Sequence, residues 1–104
     1  MSGTDTRKQG GLGLADRPVV KRPKRYRVVL FNDDYSTMEF VVEVLMSIFR
    51  HGPSRANQIM LEVHQNGQGV AGVYPFEVAE TKVLSVQERA RAQGHPLRAG
   101  LEEE

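Results

Sequence analysis

Asn32, Asp33 and Asp34 follow one another directly, between a run that reads as a strand and one that reads as a helix. Three acceptor-bearing side chains in a row suit turn chemistry, because Asn and Asp side chains bond nearby backbone. They also suit a cationic ligand. A metal is a poorer fit: carboxylates from a single loop, with no other acidic cluster nearby, make a weak cage. The absence of cysteine excludes thiolate sites and disulfide scaffolds, so no metal and no cofactor is expected. His64 is the next chemistry-bearing residue. A histidine near a helix C-terminus is ordinarily structural, favoured by the helix dipole. Here it extends the face of Met60 and Val63 rather than a solvent face. His64 with Asp33 and Ser36 contains the residue types of a hydrolytic triad. Ser36 is better explained as a helix cap and there is no nucleophile elbow, so an enzyme is not expected.

If the two helices that carry these residues pack as a hairpin, Met38 and Val41 meet Met60 and Val63. The result is an apolar hole with an anionic lip, complementary to a hydrophobic side chain beside a cation. A polypeptide N-terminus with a large apolar first residue has that shape. Its α-amino group, with a pKa of about 8, is mostly charged at neutral pH. Asn and Asp oxygens can accept its N–H groups in charge-assisted bonds. Other apolar cations are not distinguished by this reading.

The elements that must hold these residues can be read from pattern. Tyr26 to Phe31 (YRVVLF) is a strand. The first helix is predicted to start at Ser36, with Glu39 completing a capping box and Tyr35 and Phe40 a hydrophobic staple. It is expected to run to about Arg50, mostly enclosed, with one polar stripe of Glu39, Glu43, Ser47 and Arg50. Gly52-Pro53 breaks the chain and Pro53 starts a second helix, whose face is Ala56, Ile59, Met60 and Val63. Gly67 is its C-cap. Gly69 to Tyr74 is a short strand. Pro75 opens a third helix with a core stripe of Phe76, Ala79, Val83, Val86 and Ala90, stopped by Gly94-His95-Pro96. Leu97, Ala99 and Leu101 alternate with polar residues and Gly100 in a last strand. The order β-α-α-β-α-β points to an α+β fold, a small, mostly antiparallel sheet with helices on one face.

A chain of 104 residues with 39% apolar residues can hold one small domain. The net charge of +1 conceals a division. Residues 1–27 carry eight basic and two acidic side chains, net +6, and the remainder six basic and eleven acidic, net −5. Residues 1–24, rich in glycine and basic residues, are expected to be a flexible extension, followed by a folded domain over 25–104. Such a basic arm admits a second reading, a small nucleic-acid-binding protein; the acidic remainder opposes it, since it repels phosphate. No signal peptide is evident and no apolar run is long enough to cross a bilayer, so a cytoplasmic protein without membrane contact is expected.

The segments YRVVLFNDDYSTMEFVVEVL, IMLEVHQNG, GVYPFEVAETKV and HPLRAGLEEE closely resemble the ClpS family over roughly residues 25–104. Members of that family are adaptors that deliver N-degron substrates to the AAA+ protease ClpAP. The resemblance implies a fold like the ribosomal stalk protein C-terminal domain. It implies that Asn32, Asp33 and His64 contact the substrate α-amino group, with Asp34 shaping the lip. The pocket wall it implies is Met38, Val41, Met60, Val63 and Leu97, with Ser36 and Thr37 at the rim and Met38 limiting the shape of the first side chain. Glu77, Glu80 and Lys82 are implied to dock on the N-terminal domain of a ClpA-type unfoldase. The expected partners are that unfoldase and proteins beginning with Leu, Phe, Tyr or Trp; nucleic acid is not among them, and a monomer is expected. Two departures stand out. Ser36-Thr37 replaces the common Thr-Pro, and the chain ends in RAGLEEE, with Arg98 expected outside the pocket.

Overall fold

The YRVVLF run forms strand β1 (Arg25–Phe31) in the computed structural model, which describes residues 22–104. The extension expected over 1–24 lies, apart from Arg22, Pro23 and Lys24, outside the described residues. In β1, Val28 and Leu30 are wholly buried and join the core, and Val29 between them is buried too, while Arg25 is exposed and Arg27 half-buried. The remaining elements are α1 (Met38–Ser47), α2 (Pro53–Asn66), β2 (Gln68–Pro75), α3 (Phe76–Ala92) and β3 (Arg98–Glu103). This is the β-α-α-β-α-β order read from the sequence, and the fold is α+β. β1 is the central strand, with β2 and β3 antiparallel on either side. A bulge between Val28 and Val29 interrupts its register with β2.

The α2 face behaves as its spacing demands: Ala56, Ile59, Met60 and Val63 are all buried. Pro53 occupies its first turn, and Gly67, at φ +88°, caps its C-terminus in the left-handed region. On α3, Ala79, Val86 and Ala90 are buried and Val83 packs against the core. Phe76 is not a core residue; it is 44% exposed, its ring edge-on to Tyr26 with centroids 5.2 Å apart.

The α1 boundaries depart from expectation at both ends. Thr37, not Ser36, is the N-cap, its Oγ1 accepting from the Phe40 N–H at 3.0 Å. A single-residue shift dissolves the capping box and the staple. Tyr35 is 80% exposed, and Phe40 instead stacks on His95 with centroids 4.1 Å apart. The helix ends at Ser47 rather than about Arg50, because Arg50 adopts φ +62° and reverses the chain as a glycine commonly would. Lys82 Nζ donates to the Ile48 carbonyl at 2.6 Å, a cation at the C-terminal end of α1. α1 is also less enclosed than its composition implies, since Met38 and Met46 are well exposed.

The charge division partly closes on itself. Arg25 makes a forked pair with Glu104, Arg27 pairs with Glu102 and Lys24 with Glu103, each across the β1–β3 edge. Exposed pairs of this kind stabilise little, but they neutralise the described end of the basic arm. Among the described residues no helix is long and apolar enough to cross a membrane.

Candidate functional site

The antiparallel ladder of β1 and β2 does not stop at Phe31 and Gln68. The Asn32 N–H donates to the Gly67 carbonyl at 2.9 Å. That bond ties the loop after β1 to the end of α2, one turn beyond His64. Residues far apart in the chain are thereby held together by backbone alone.

Asp33 then organises the loop. Its Oδ1 accepts two backbone N–H groups, from Tyr35 at 2.8 Å and Ser36 at 2.6 Å. This is the turn chemistry expected of an Asx side chain, and it turns the chain into the Thr37 cap. Asp33 therefore does structural work with one oxygen. Its other oxygen, Oδ2, and Ser36 Oγ are the two buried side-chain polar atoms without a hydrogen-bond partner among the described residues. Buried acceptors are nearly always satisfied, so two adjacent exceptions call for a cause. Burial pushes the Asp33 carboxyl up, but the Ser36 and Tyr35 donors, with His95 nearby, hold it below its ordinary value of 3.8. At neutral pH Asp33 is an anion.

A cavity of about 240 Å³ lies here, lined by Asn32, Asp33, Asp34, Ser36, Met38, Val41, Met60, Val63 and His64. It falls below the range of about 300–1,000 Å³ usual for drug-sized ligands; it suits one side chain. The apolar lining comes from one face each of α1 and α2, and the polar lining from the 32–36 loop and His64. Val63 is held against the strand by a close approach, since a Cβ on Gly69 would fall 2.9 Å from its Cγ2.

Two residues expected at the pocket do not line it. Thr37 is spent on the α1 cap. Leu97 is 3% exposed and belongs to the core. Arg98 lies outside the cavity, its guanidinium over the Phe31 ring at 5.3 Å. On α3, Glu77 and Glu80 are exposed, whereas Lys82 is half-buried, with Phe49 and Tyr74 rings beside it. Glu77 and Lys82 border a shallow depression that shares no lining residue with the cavity. His95 was missed: read only as part of a helix stop, it proves to pack on the first turn of α1 and to bias Asp33. Its sequence neighbours carried no signal of that, because the contact joins opposite ends of the fold. Among the described residues no cluster of three or more His, Asp or Glu is disposed around a metal position.

A family model described as "ATP-dependent Clp protease adaptor protein ClpS" matches residues 21–100. The chain belongs to the ClpS family. A ClpS adapter protein of Maricaulis maris is 57% identical over 102 residues, covering 96% of this chain and 94% of the relative. One from Caulobacter vibrioides is 48% identical over 106 residues, covering 94% and 97%. Agrobacterium tumefaciens ClpS2, solved with L-phenylalaninamide bound, superposes with a TM-score of 0.77 at 37% identity, covering 80% of this chain and all of that one. Like other ClpS proteins, this chain is an adaptor of an ATP-dependent Clp protease and not itself the protease.

Proposed function

We propose that this ClpS protein binds the free N-terminus of proteins beginning with Leu, Phe, Tyr or Trp and hands them to a ClpA-type unfoldase. The observation that carries the reading is the convergence of an ionised Asp33, Asn32 and His64 with Met38, Val41, Met60 and Val63 around one side-chain-sized cavity. The first side chain fills the apolar part. Asn32, Asp33 and His64 receive the α-ammonium, with Asp34 closing the lip. The ligand of ClpS2, L-phenylalaninamide, joins an aromatic side chain to a free amine, which is the same chemistry.

Magnitudes favour an adaptor over a tight receptor. Burying one large apolar side chain is worth about 1.5–3 kcal/mol. A blocked amine would leave acceptors unpaired at about 1–3 kcal/mol each. One deep contact of this size gives modest affinity, and tethering to the protease raises the effective substrate concentration. Glu77, Glu80 and Lys82 on α3 are the residues we assign to the unfoldase contact. They share no lining residue with the cavity, which lets substrate and unfoldase be held together.

A peptide set differing only in residue one, each with a free and an acetylated amine, tests this by fluorescence anisotropy. Leu-, Phe-, Tyr- and Trp-first peptides are expected to bind at least tenfold more tightly than Ser- or Glu-first ones, and acetylation should abolish the difference. Equal affinities across the set would overturn the reading.

A further inference from the structure

α1 carries more apolar surface than its core contacts use. Phe40, Val41, Val44 and Leu45 are buried on one side. Met38, Val42 and Met46 form a second row at four-residue spacing, and Met38 and Met46 remain 44% and 38% exposed. With Asn57 and Met60 of α2 this row lines an open groove of about 580 Å³, mostly apolar on its floor and flanked on α1 by Glu39 and Glu43. Met38 and Met60 also line the 240 Å³ cavity. The groove and the cavity therefore meet at a common wall made of two methionines.

We propose that the groove takes apolar side chains at positions two to four of the same substrate whose first residue fills the cavity. The inference rests on the reading under Proposed function. Continuity selects the occupant: a chain anchored by its first residue on one side of Met38 and Met60 has this groove on the other. Length agrees. Met38 to Met46 rises about 12 Å at 1.5 Å per residue, and an extended chain advances about 3.3 Å per residue, so about three to four residues match the groove. The lining agrees too, because methionine is unbranched and repacks around differing apolar partners. The groove thus ranks substrates that share a first residue.

Two peptides with the same Leu and free amine, one continuing Leu-Phe-Val and the other Ser-Gly-Ser, provide the test. The apolar continuation should bind about 5–20-fold more tightly to the wild-type chain. Met46→Gln should cut that gain below twofold and Met46→Leu should keep it. A readout independent of the variants is the methyl resonance of Met46 in the ¹³C-methionine-labelled wild-type chain. It should move with the first peptide and stay with the second. A gain under twofold in the wild type, a gain that survives Met46→Gln in a folded variant, or a stationary Met46 resonance overturns the proposal. So does a concentration-dependent dimer, by sedimentation, that Met46→Gln abolishes; the groove would then belong to a second copy. If neither the first residue nor amine acetylation affects binding, the prior reading fails instead.

Discussion

Asp33→Asn separates the two duties of the most loaded residue in the site. Asp33 Oδ1 holds the loop through the Tyr35 and Ser36 N–H groups, and an asparagine oxygen can accept both. The loop should persist, at the loss of the charge assistance in two exposed or half-buried bonds. Neutral bonds contribute about 1 kcal/mol and bonds to a charged group about 1.5–3 kcal/mol, a difference of about 0.5–2 kcal/mol per bond; because solvent screens both bonds, the lower end is expected, about 1 kcal/mol for the pair. For a domain of this size that lowers Tm by about 4–8 °C. The binding effect is larger in kind. The Oδ2 edge, which lacks a donor in the free protein, becomes an NH₂ that meets an ammonium donor to donor. Losing one charge-assisted bond of about 1.5–3 kcal/mol weakens a Leu- or Phe-first peptide about 10- to 150-fold. Anisotropy with free and acetylated peptides, beside thermal melts, measures both terms. The two perturbations strike one contact, so acetylation should cost the variant much less than it costs the wild type. A folded Asp33→Asn protein with unchanged affinity, or one in which the two losses add in full, would refute the assignment of Asp33 to the amine.

Thr37→Ala should destabilise by about 0.5–2 kcal/mol through loss of the α1 cap; Ser36→Ala, which keeps the backbone N–H bond to Asp33, should lower Tm less. The reverse order in melts would restore the sequence-based cap. Met38→Ala should open the wall between cavity and groove and admit Ile- or Val-first peptides, so an unaltered first-residue ranking counts against Met38 as the shape filter. Binding should follow a bell in pH: it falls above about pH 8 as the substrate amine loses its proton, and again in acid as Asp33 gains one. The acid side also carries a stability term. Because the folded-state pKa of Asp33 lies below its ordinary 3.8, ionised Asp33 stabilises the fold above that value, and the contribution disappears as pH falls through the lower folded value. A flat affinity between pH 6 and 10 would contradict the ammonium as ligand.

Local chemistry decided much of this protein without help from the fold. The β-branched and aromatic run YRVVLF, the helical spacing of Ala56, Ile59, Met60 and Val63, and the stops at Gly52-Pro53 and Gly67 each depend on neighbours within a turn or two, so order and class were legible from the chain alone. So were the ingredients of the site, because carboxylates at a strand–helix junction and methionines on helix faces announce themselves by type. What the sequence could not settle were choices between equivalent local solutions. Ser36 and Thr37 can both cap a helix, and the Asp33 bonds to Tyr35 and Ser36 tip the balance to Thr37. Arg50 ends α1 in a conformation its side chain does not advertise, while Lys82, from a different helix, binds the Ile48 carbonyl. Leu97 went to the core and His95 to Phe40 because packing across the sheet and helices, not spacing, sets their neighbours. The cavity itself exists only in three dimensions: one backbone bond from Asn32 to Gly67 brings the loop to the end of α2, and no pattern along the chain encodes that meeting.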